Sequence, residues 1–557
     1  MSIKNIFTKN KAIIGATAIV CACVGYGFTK DEPDDFETIK NLEIFHTLLR
    51  EVRVMYVDKP NSEKLIHTAI DKMLESLDPY TVYYPESLVE DVRFMNTGEY
   101  AGIGAEIEKI NDSYTVMTII KDSPADKVGI MIGDIILKIN NIDIKNKTTD
   151  EADLLIKGQP GSTAQLLIQR GNETKTIGIK RNTITVNCIP FYGVVDNNIG
   201  YINLSGFTEK SSSEFKEAFI NLKNNHNISK LIIDLRYNPG GLLVEAVKIV
   251  NMFVAKGSKI VEMKGRVENW NKTFNAESQP IDLKIPIVVL VNGQSASAAE
   301  IVSGSLQDLD RAVIIGEKTY GKGLVQTTRD LAYNAKCKIT TAKYLIPSGR
   351  CIQRVDYSKK DESGKSEVIA DSLVKTFKTK NGRPVKDAGG ILPDIIINND
   401  TIEYAVENLI DKNIIFNFVN DYCRKNSKPQ SLKSITVDDK IIEELKIYAG
   451  KELYNYTTRS EEDLKVFEQS LEEDYHSQEL KNQIAILKQS IQKHKKISGK
   501  EIDRQLKAAL GSEIAMRFFY EEGEIEYSLQ NDKYNAQAIE ILNNEDLYKK
   551  ILAGEKR

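Results

Sequence analysis

Histidine is scarce in this chain: there are five in 557 residues, and none lies between His226 and His476. A serine nucleophile in that span has no imidazole within it to serve as base, and the hydroxyl is weak without a base. Cysteine is almost as sparse. Beyond the N-terminal segment only Cys188, Cys337, Cys351 and Cys423 remain. They are dispersed and form no C-x-x-C pair, so no metal site is expected. A Cys337–Cys351 bridge across a hairpin is conceivable in an oxidising compartment, but free thiols are the expectation. A surplus of positive charge is also missing. Lys and Arg number 75 against 79 Asp and Glu, a net charge of −4, and nucleic acid is not an expected partner. The chain has no internal repeats, no long low-complexity linker and no G-x-S-x-G elbow.

What is present begins with charge order at the N-terminus. Lys4, Lys9 and Lys11 precede a stretch with no charge until Lys30, and Asp31, Glu32, Asp34 and Asp35 follow. Basic before and acidic after predicts an N-terminus inside and the remainder outside. Residues 1–30 are read as a signal-anchor, although the apolar run is short for a spanning helix. No small-x-small site at its far end marks cleavage, and a cleaved segment would leave a secreted protein. The expected location is a bacterial cell envelope, anchored in the inner membrane with the bulk of the chain in the periplasm.

Periodicity divides the rest. Residues 36–95 form a small helical region, with apolar residues at helical spacing over Phe36–Val57 and Ser62–Leu77. Residues 97–181 read as short strands (Ala105–Ile110, Tyr114–Ile120, Ile135–Ile139, Ala164–Gln169) with a helix over Thr148–Lys157 opened by Thr148 and Glu151 at capping-box spacing. Over 183–400 strands alternate with helices: Ile199–Leu204, a serine-capped helix Ser211–Asn225, Leu231–Leu235, helix Leu242–Val254, Ile285–Val291, helix Ser295–Leu309, then β-rich stretches from Lys322 and Lys336. Continuous apolar strands between helices imply an α/β core buried on both faces. Tyr357–Lys386 is polar and lysine-rich and reads as a solvated loop. Residues 401–557 are helical and highly charged, carry no catalytic motif, and are expected to pack or to mediate oligomerisation.

Chemistry concentrates between Asn292 and Gln326. Ser297 follows a buried strand and opens a helix, where the first N–H groups point outward unpaired. The amide of Ala298 is placed to face an oxyanion. A helix cap is the plainer role for Ser295 or Ser297. Lys322 supplies the missing base. Losing its proton near pH 7 costs about 4.6 kcal/mol against the ordinary lysine value, an amount burial can supply. Gly321 and Gly323 let the backbone approach closely, and Gln326 is placed to orient the amine. Gly316 through Lys322 also spells most of a phosphate-binding loop, G-x-x-x-x-G-K. Gly323 stands where that loop needs Ser or Thr, and a strand follows rather than a helix, which disfavours a nucleotidase. The turn Asn238-Pro-Gly240-Gly241, between a strand and a helix, offers further amides to an anion.

These pieces, taken in order, resemble the C-terminal processing peptidases, or tail-specific proteases. The carrying segments are Asp234-Leu-Arg-Tyr-Asn-Pro-Gly-Gly241, Asn292-Gly-Gln-Ser-Ala-Ser-Ala-Ala-Glu-Ile301, Gly316-Glu-Lys-Thr-Tyr-Gly-Lys-Gly-Leu-Val-Gln326, Thr340-Thr-Ala-Lys-Tyr344, Pro347-Ser-Gly-Arg350 and Gly390-Ile-Leu-Pro-Asp394. The resemblance implies a multidomain α/β protein with a crotonase-like core and an inserted PDZ domain. It implies Ser297 as nucleophile, Lys322 as base, Gln326 in support, and Gly240, Gly241 and Ala298 as oxyanion donors, with Asp308 a lesser candidate. No cofactor is implied. Residues 97–181 are similar to a PDZ module through Gly102-Ile103-Gly104-Ala105, Ser123-Pro-Ala-Asp-Lys-Val-Gly-Ile130, Gly133-Asp134 and Asn140. Such a module holds a peptide's C-terminal carboxylate and adds the peptide as a strand, here between Ala105–Ile110 and the helix Thr148–Lys157. Lys157 stands where bacterial relatives often carry an arginine that couples PDZ to protease, and a lysine lacks the planar fork. The implied partners are proteins with apolar C-terminal tails. The resemblance also allows for an adaptor or activator and a homo-oligomer. A catalytically silent PDZ scaffold is the alternative.

Overall fold

The structure is a computed structural model and describes residues 34–361, 364, 366–398, 401–495 and 499–555. The proposed anchor, residues 1–30, lies outside the described residues. Among those described, no helix is long and apolar enough to cross a membrane. The chain divides into two compact units at Tyr83. Within the first, the described residues form helices Asp34–Met55 and Ser62–Glu75, the latter capped by Asn61, whose side chain accepts from the Lys64 amide.

The second unit opens its sheets with an antiparallel domain. Strands Ala105–Ile110, Ser113–Ile119, Ile135–Ile139, Thr163–Arg170 and Glu173–Lys180 lie side by side in that order, with Ala105–Ile110 at one edge. The helix Thr149–Ile156 begins with the expected capping box between Thr148 and Glu151. Its core gathers Ile103, Val116, Ile139, Ala152 and Leu166, and Phe416 from far along the chain joins them.

The α/β core is a six-stranded sheet in the order Phe191–Asp196, Ile199–Asn203, Lys230–Asp234, Ile287–Val291, Val313–Gly316, Ile395–Ile396. The first pair is antiparallel and the rest are parallel. Parallel strands bury both faces, which is why Ile287–Val291 reads as an unbroken apolar run. One face packs on helices Ser211–Asn225, Leu243–Asn251 and Ala298–Asp308 through Phe215, Phe219, Ile249 and Val302. The other is covered by the far end of the chain. Tyr534, Ala538, Ile541, Leu542 and Tyr548, from helices Lys533–Asn543 and Glu545–Ala553, lie on Ile232, Val288, Leu290 and Ile315. A fully buried side chain of this size contributes roughly 1.5–3 kcal/mol, so this helical cover is an integral layer of the core.

Two expectations are corrected. The helix Ser211–Asn225 has Lys210 at its N-cap with no side-chain cap, because Ser211 turns back to bond the Thr208 carbonyl at 2.9 Å. The lysine-rich stretch is not one solvated loop. It forms two short hairpins, Val355–Lys360 with Ser366–Val368 and Thr376–Lys378 with Pro384–Lys386. Arg383, at the end of this segment, is buried between Asp310 and Asp394, at 2.6 Å from each, and that ion cluster anchors the second hairpin. All four cysteines described are free, as expected.

Candidate active site

Ser297 joins the strand Ile287–Val291 to the helix Ala298–Asp308 with φ 54° and ψ −112°. A non-glycine residue held in such a conformation costs roughly 1–3 kcal/mol, and its surroundings must impose it. They do so on both sides. Upstream, the Asn292 amide donates to Ser295 Oγ at 2.9 Å and that hydroxyl donates to the Leu235 carbonyl at 2.8 Å. The Ala296 amide donates to the Asn238 carbonyl at 2.9 Å. Downstream, the Ser297 amide donates to Glu300 Oε2 at 2.8 Å. A sharp, strained strand-to-helix turn that lifts a serine is the geometry of a nucleophile elbow, reached here without its sequence signature.

Glu300 is the residue that sequence reasoning passed over. It is wholly buried and its carboxylate collects four donors. Besides Ser297, Oε2 accepts from the Lys322 amide at 2.9 Å, and Oε1 accepts from the Gly321 amide at 2.8 Å and Thr319 Oγ1 at 2.5 Å. Burial pushes this carboxyl up to about 7, while its donors pull the other way. The spacing Ser297-x-x-Glu300 is a legible capping box; its reach to the segment 319–322 is not. Tyr344 repeats the same bridge on the carbonyl side. Its hydroxyl lies 3.1 Å from the Ser297 carbonyl and 2.8 Å from the Lys322 carbonyl, and burial raises the phenol well above its usual value.

The glycines flanking Lys322 are required by contact. A Cβ at Gly321, where φ is +88°, would lie 2.7 Å from Arg354 Cβ, and one at Gly323 would lie 2.8 Å from the Gln353 nitrogen. The segment that resembles a phosphate loop thus wraps an internal carboxylate with the amides of Gly321 and Lys322, and the strand Leu324–Asp330 follows it. Gln326 lies on this strand, and its Nε2 donates to Thr340 Oγ1 at 3.2 Å.

The Asn238–Gly241 turn lies directly against the serine. A Cβ at Gly240, where φ is +100°, would sit 2.8 Å from Ser297 Cβ and 3.0 Å from the Ala298 nitrogen. The Gly240 amide donates to Asn238 Oδ1 at 2.8 Å and is committed inside the turn. Among the described residues, no acceptor engages the amides of Gly241 and Ala298. Asp308 sits at the opposite end of the serine's helix, in a fully buried pair with Arg350 at 2.8 Å, away from this cluster.

The structure therefore gathers Ser297, Ala298, Gly240, Gly241 and the Lys322 backbone at the carboxyl ends of adjacent strands. The remaining expected residues form a second locus in the antiparallel domain. Gly102, Ile103, Gly104 and Ala105 make the turn into the edge strand. Gly104 has φ +77°, and a Cβ there would lie 2.3 Å from Ser123 Cβ. Lys157 caps the helix Thr149–Ile156 and pairs with Asp91 at 3.4 Å. The fork at that helix end comes instead from Arg181, whose Nε and Nη2 hold the carbonyls of Ile156 and Leu155 at 2.7 Å each.

Comparison with known proteins agrees with this division. Residues 198–359 match the family model for Peptidase family S41, residues 101–180 that for the PDZ domain, and residues 405–542 that for the "Probable PDZ-protease, C-terminal helical domain". The chain is 40% identical over 323 residues to the carboxy-terminal-processing protease of Bartonella bacilliformis, covering 57% of this chain and 74% of that protein. It is 34% identical over 404 residues to a probable CtpA-like serine protease of Staphylococcus haemolyticus, covering 71% and 79%. Among solved structures it is similar to a photosystem II D1 C-terminal processing protease, with 26% identity, 63% and 86% coverage and a TM-score of 0.35. A Ser297 turn locked to Lys322 beside a PDZ domain, with relatives of this identity and coverage, places the chain among the carboxy-terminal-processing serine proteases of peptidase family S41.

Proposed function

We propose that the protein cleaves proteins captured by their apolar C-terminal tails, with Ser297 as nucleophile and Lys322 as its general base. The observation that carries this reading is the double tie. Glu300 holds the amides of both residues and Tyr344 lies against the carbonyls of both, so the two backbones cannot drift independently. Ser297 Oγ attacks the scissile carbonyl and gives its proton to the neutral Lys322 Nζ. The amides of Gly241 and Ala298 receive the oxyanion. Lys322 then passes the proton to the leaving amine; neutral again, its Nζ takes a proton from the water that attacks the acyl group and returns it to Ser297 Oγ as the acyl–oxygen bond breaks. Gln326 supports the lysine, and Gly240 shapes the turn by close approach.

The tail would add as a strand beside Ala105–Ile110, an edge strand with an open pairing side, its carboxylate at the turn Gly102–Ala105. The repeated strand–turn–helix units, with the site at the strands' carboxyl ends, support a crotonase-like core. The basic-apolar-acidic order of the N-terminus supports anchorage in a bacterial inner membrane with catalysis outside.

The test is an unstructured protein substrate ending in apolar residues, supplied with a free or an amidated C-terminus. We expect an acyl adduct on the Ser297 peptide by mass spectrometry during turnover, and cleavage at least tenfold slower for the amidated tail. Hydrolysis without an adduct at Ser297, or indifference to amidation, overturns the corresponding half of the reading. Gly240→Ala provides a sharper geometric check. Its Cβ must displace Ser297 or the Ala298 amide, and kcat is expected to fall by about a hundredfold or more, with tail-peptide affinity unchanged by fluorescence titration.

A further inference from the structure

The C-terminal helical domain does more than cover the sheet. The helix Lys533–Asn543 begins beside the carboxyl ends of the core strands, where the catalytic loops leave. Asp532 caps it, with Oδ1 accepting from the Tyr534 amide at 2.8 Å. The other oxygen, Oδ2, receives Arg236 Nη2 at 2.5 Å. Arg236 is itself locked on Asp234, with Nε at 2.9 Å and Nη2 at 2.6 Å from Oδ2, and Asp234 also accepts from Tyr201 Oη at 2.6 Å. Arg236 lies four residues before Gly240. Its side chain is 16% exposed, Asp532's 13% and Asp234's 3%, so the cluster is largely shielded from water.

The next contact touches the other two loops. The Tyr534 ring lies 5.0 Å from the Arg236 guanidinium carbon, and its hydroxyl is 3.1 Å from the Ile397 carbonyl and 3.3 Å from Glu317 Oε1. Glu317 precedes Lys322 by five residues, and its Oε2 accepts from the Gly293 amide, four residues before Ser297, at 3.4 Å. One helix start thus meets the segments that carry the oxyanion turn, the serine and the lysine.

We propose that Asp532 and Tyr534 are positioning residues for the protease site, acting through Arg236 on the Gly240–Gly241 turn and through Glu317 on the serine and lysine loops. The inference rests on Ser297 and Lys322 being the working pair. Arg236 is fixed along one edge by Asp234 alone, and Asp532 completes the fork on the second face. Without it the guanidinium can swing about Asp234 and carry Tyr237 and the turn with it.

The test uses the full chain with Asp532→Asn, Asp532→Glu, Tyr534→Phe and, as controls, Asn544→Ala and Ser297→Ala. Asp532→Asn keeps a capping oxygen and loses the charge; Tyr534→Phe keeps the ring over Arg236 and loses the hydroxyl. Asn544 caps the neighbouring helix by accepting from the Leu547 amide and touches none of the three loops. We expect Asp532→Asn and Tyr534→Phe to lower kcat about tenfold to a hundredfold with KM and tail-peptide affinity unchanged, Asp532→Glu to restore most of the rate, and Asn544→Ala to lower the melting midpoint while kcat holds. Rates within twofold of wild type for both single variants, or kcat losses that merely follow the melting midpoint across all variants including Asn544→Ala, overturn the proposal. Activity that survives Ser297→Ala instead shows that the pair itself was misassigned. In that case hydrogen exchange of the Gly240 and Gly241 amides, faster in Asp532→Asn if the turn has loosened and unchanged if it has not, still decides the positioning question.

Discussion

Ser297→Ala and Lys322→Ala are each expected to lower kcat by about four orders of magnitude or more, and the double variant to be no worse than either alone. Residues that act as one unit are grossly non-additive, because once either is gone the covalent route is closed and only binding and oxyanion stabilisation remain. Lys322→Arg should be as inactive as Lys322→Ala, since a guanidinium stays protonated in proteins and cannot take the serine's proton. Steady-state hydrolysis with a fluorescent peptide decides this, with tail binding measured in parallel to show that the PDZ domain is intact. Strictly additive losses would mean that serine and lysine serve different steps.

Glu300→Gln is expected to cost about a hundredfold to a thousandfold in kcat, the scale on which losing a single preorganised donor is felt. The four groups facing Glu300 all donate. A glutamine must turn its NH2 toward one pair of them, either the Ser297 and Lys322 amides or the Gly321 amide and the Thr319 hydroxyl. Each buried donor left unpaired costs about 1–3 kcal/mol, and either choice loosens the tie between Ser297 and Lys322. The wild-type pH dependence has a defined sign. With the folded carboxyl pushed up to about 7 by burial and the unfolded one near the ordinary 4.5, this group's contribution to stability is fully present below about 4.5 and is lost as pH rises through about 7. The total is roughly 3 kcal/mol. Activity runs the opposite way. Protonation puts a hydrogen on an oxygen that must accept two donors, so kcat falls as pH drops through about 7. Melts of wild type and Glu300→Gln between pH 4 and 8 should converge toward high pH and separate toward low pH. A constant separation would remove Glu300 as the titrating group.

How far the sequence reached can be judged residue by residue. The turn that carries Ser297 and the glycine-flanked Lys322 stood out in the sequence because their motifs are local and ordered, and the structure brings the two backbones together at Glu300. The antiparallel strands Ala105–Ile110 and Ile135–Ile139 were legible from pattern and turn residues, and the structure reproduces both spans. Glu300 and Tyr344 stood inside quoted motifs without a role, because their partners are set by tertiary contact 22 and 47 residues away. Within the helical tail, Lys500–Ser528 is a pair of helices meeting at a kink. Charged residues and Gly511 and Gly523 interrupt its apolar spacing, and Tyr520 breaks its helical angles with φ 61° and ψ −167° to place a hydroxyl 2.8 Å from Asp126 in the PDZ domain. Arg236–Asp532, 296 residues apart, left no periodic trace at all.

The Gly316–Lys322 segment differs from a nucleotide-binding loop in where its anion comes from. A nucleotide-binding loop takes its anion from solution, so its shape follows cellular phosphate and ATP. Here the anion is the Glu300 carboxylate, tethered within the same chain and held by the amides of Gly321 and Lys322. Its effective concentration is fixed by the fold, and what changes it is its own protonation near pH 7. The Lys322 backbone is thereby held by a group the chain carries itself, with no dissolved phosphate needed to shape it.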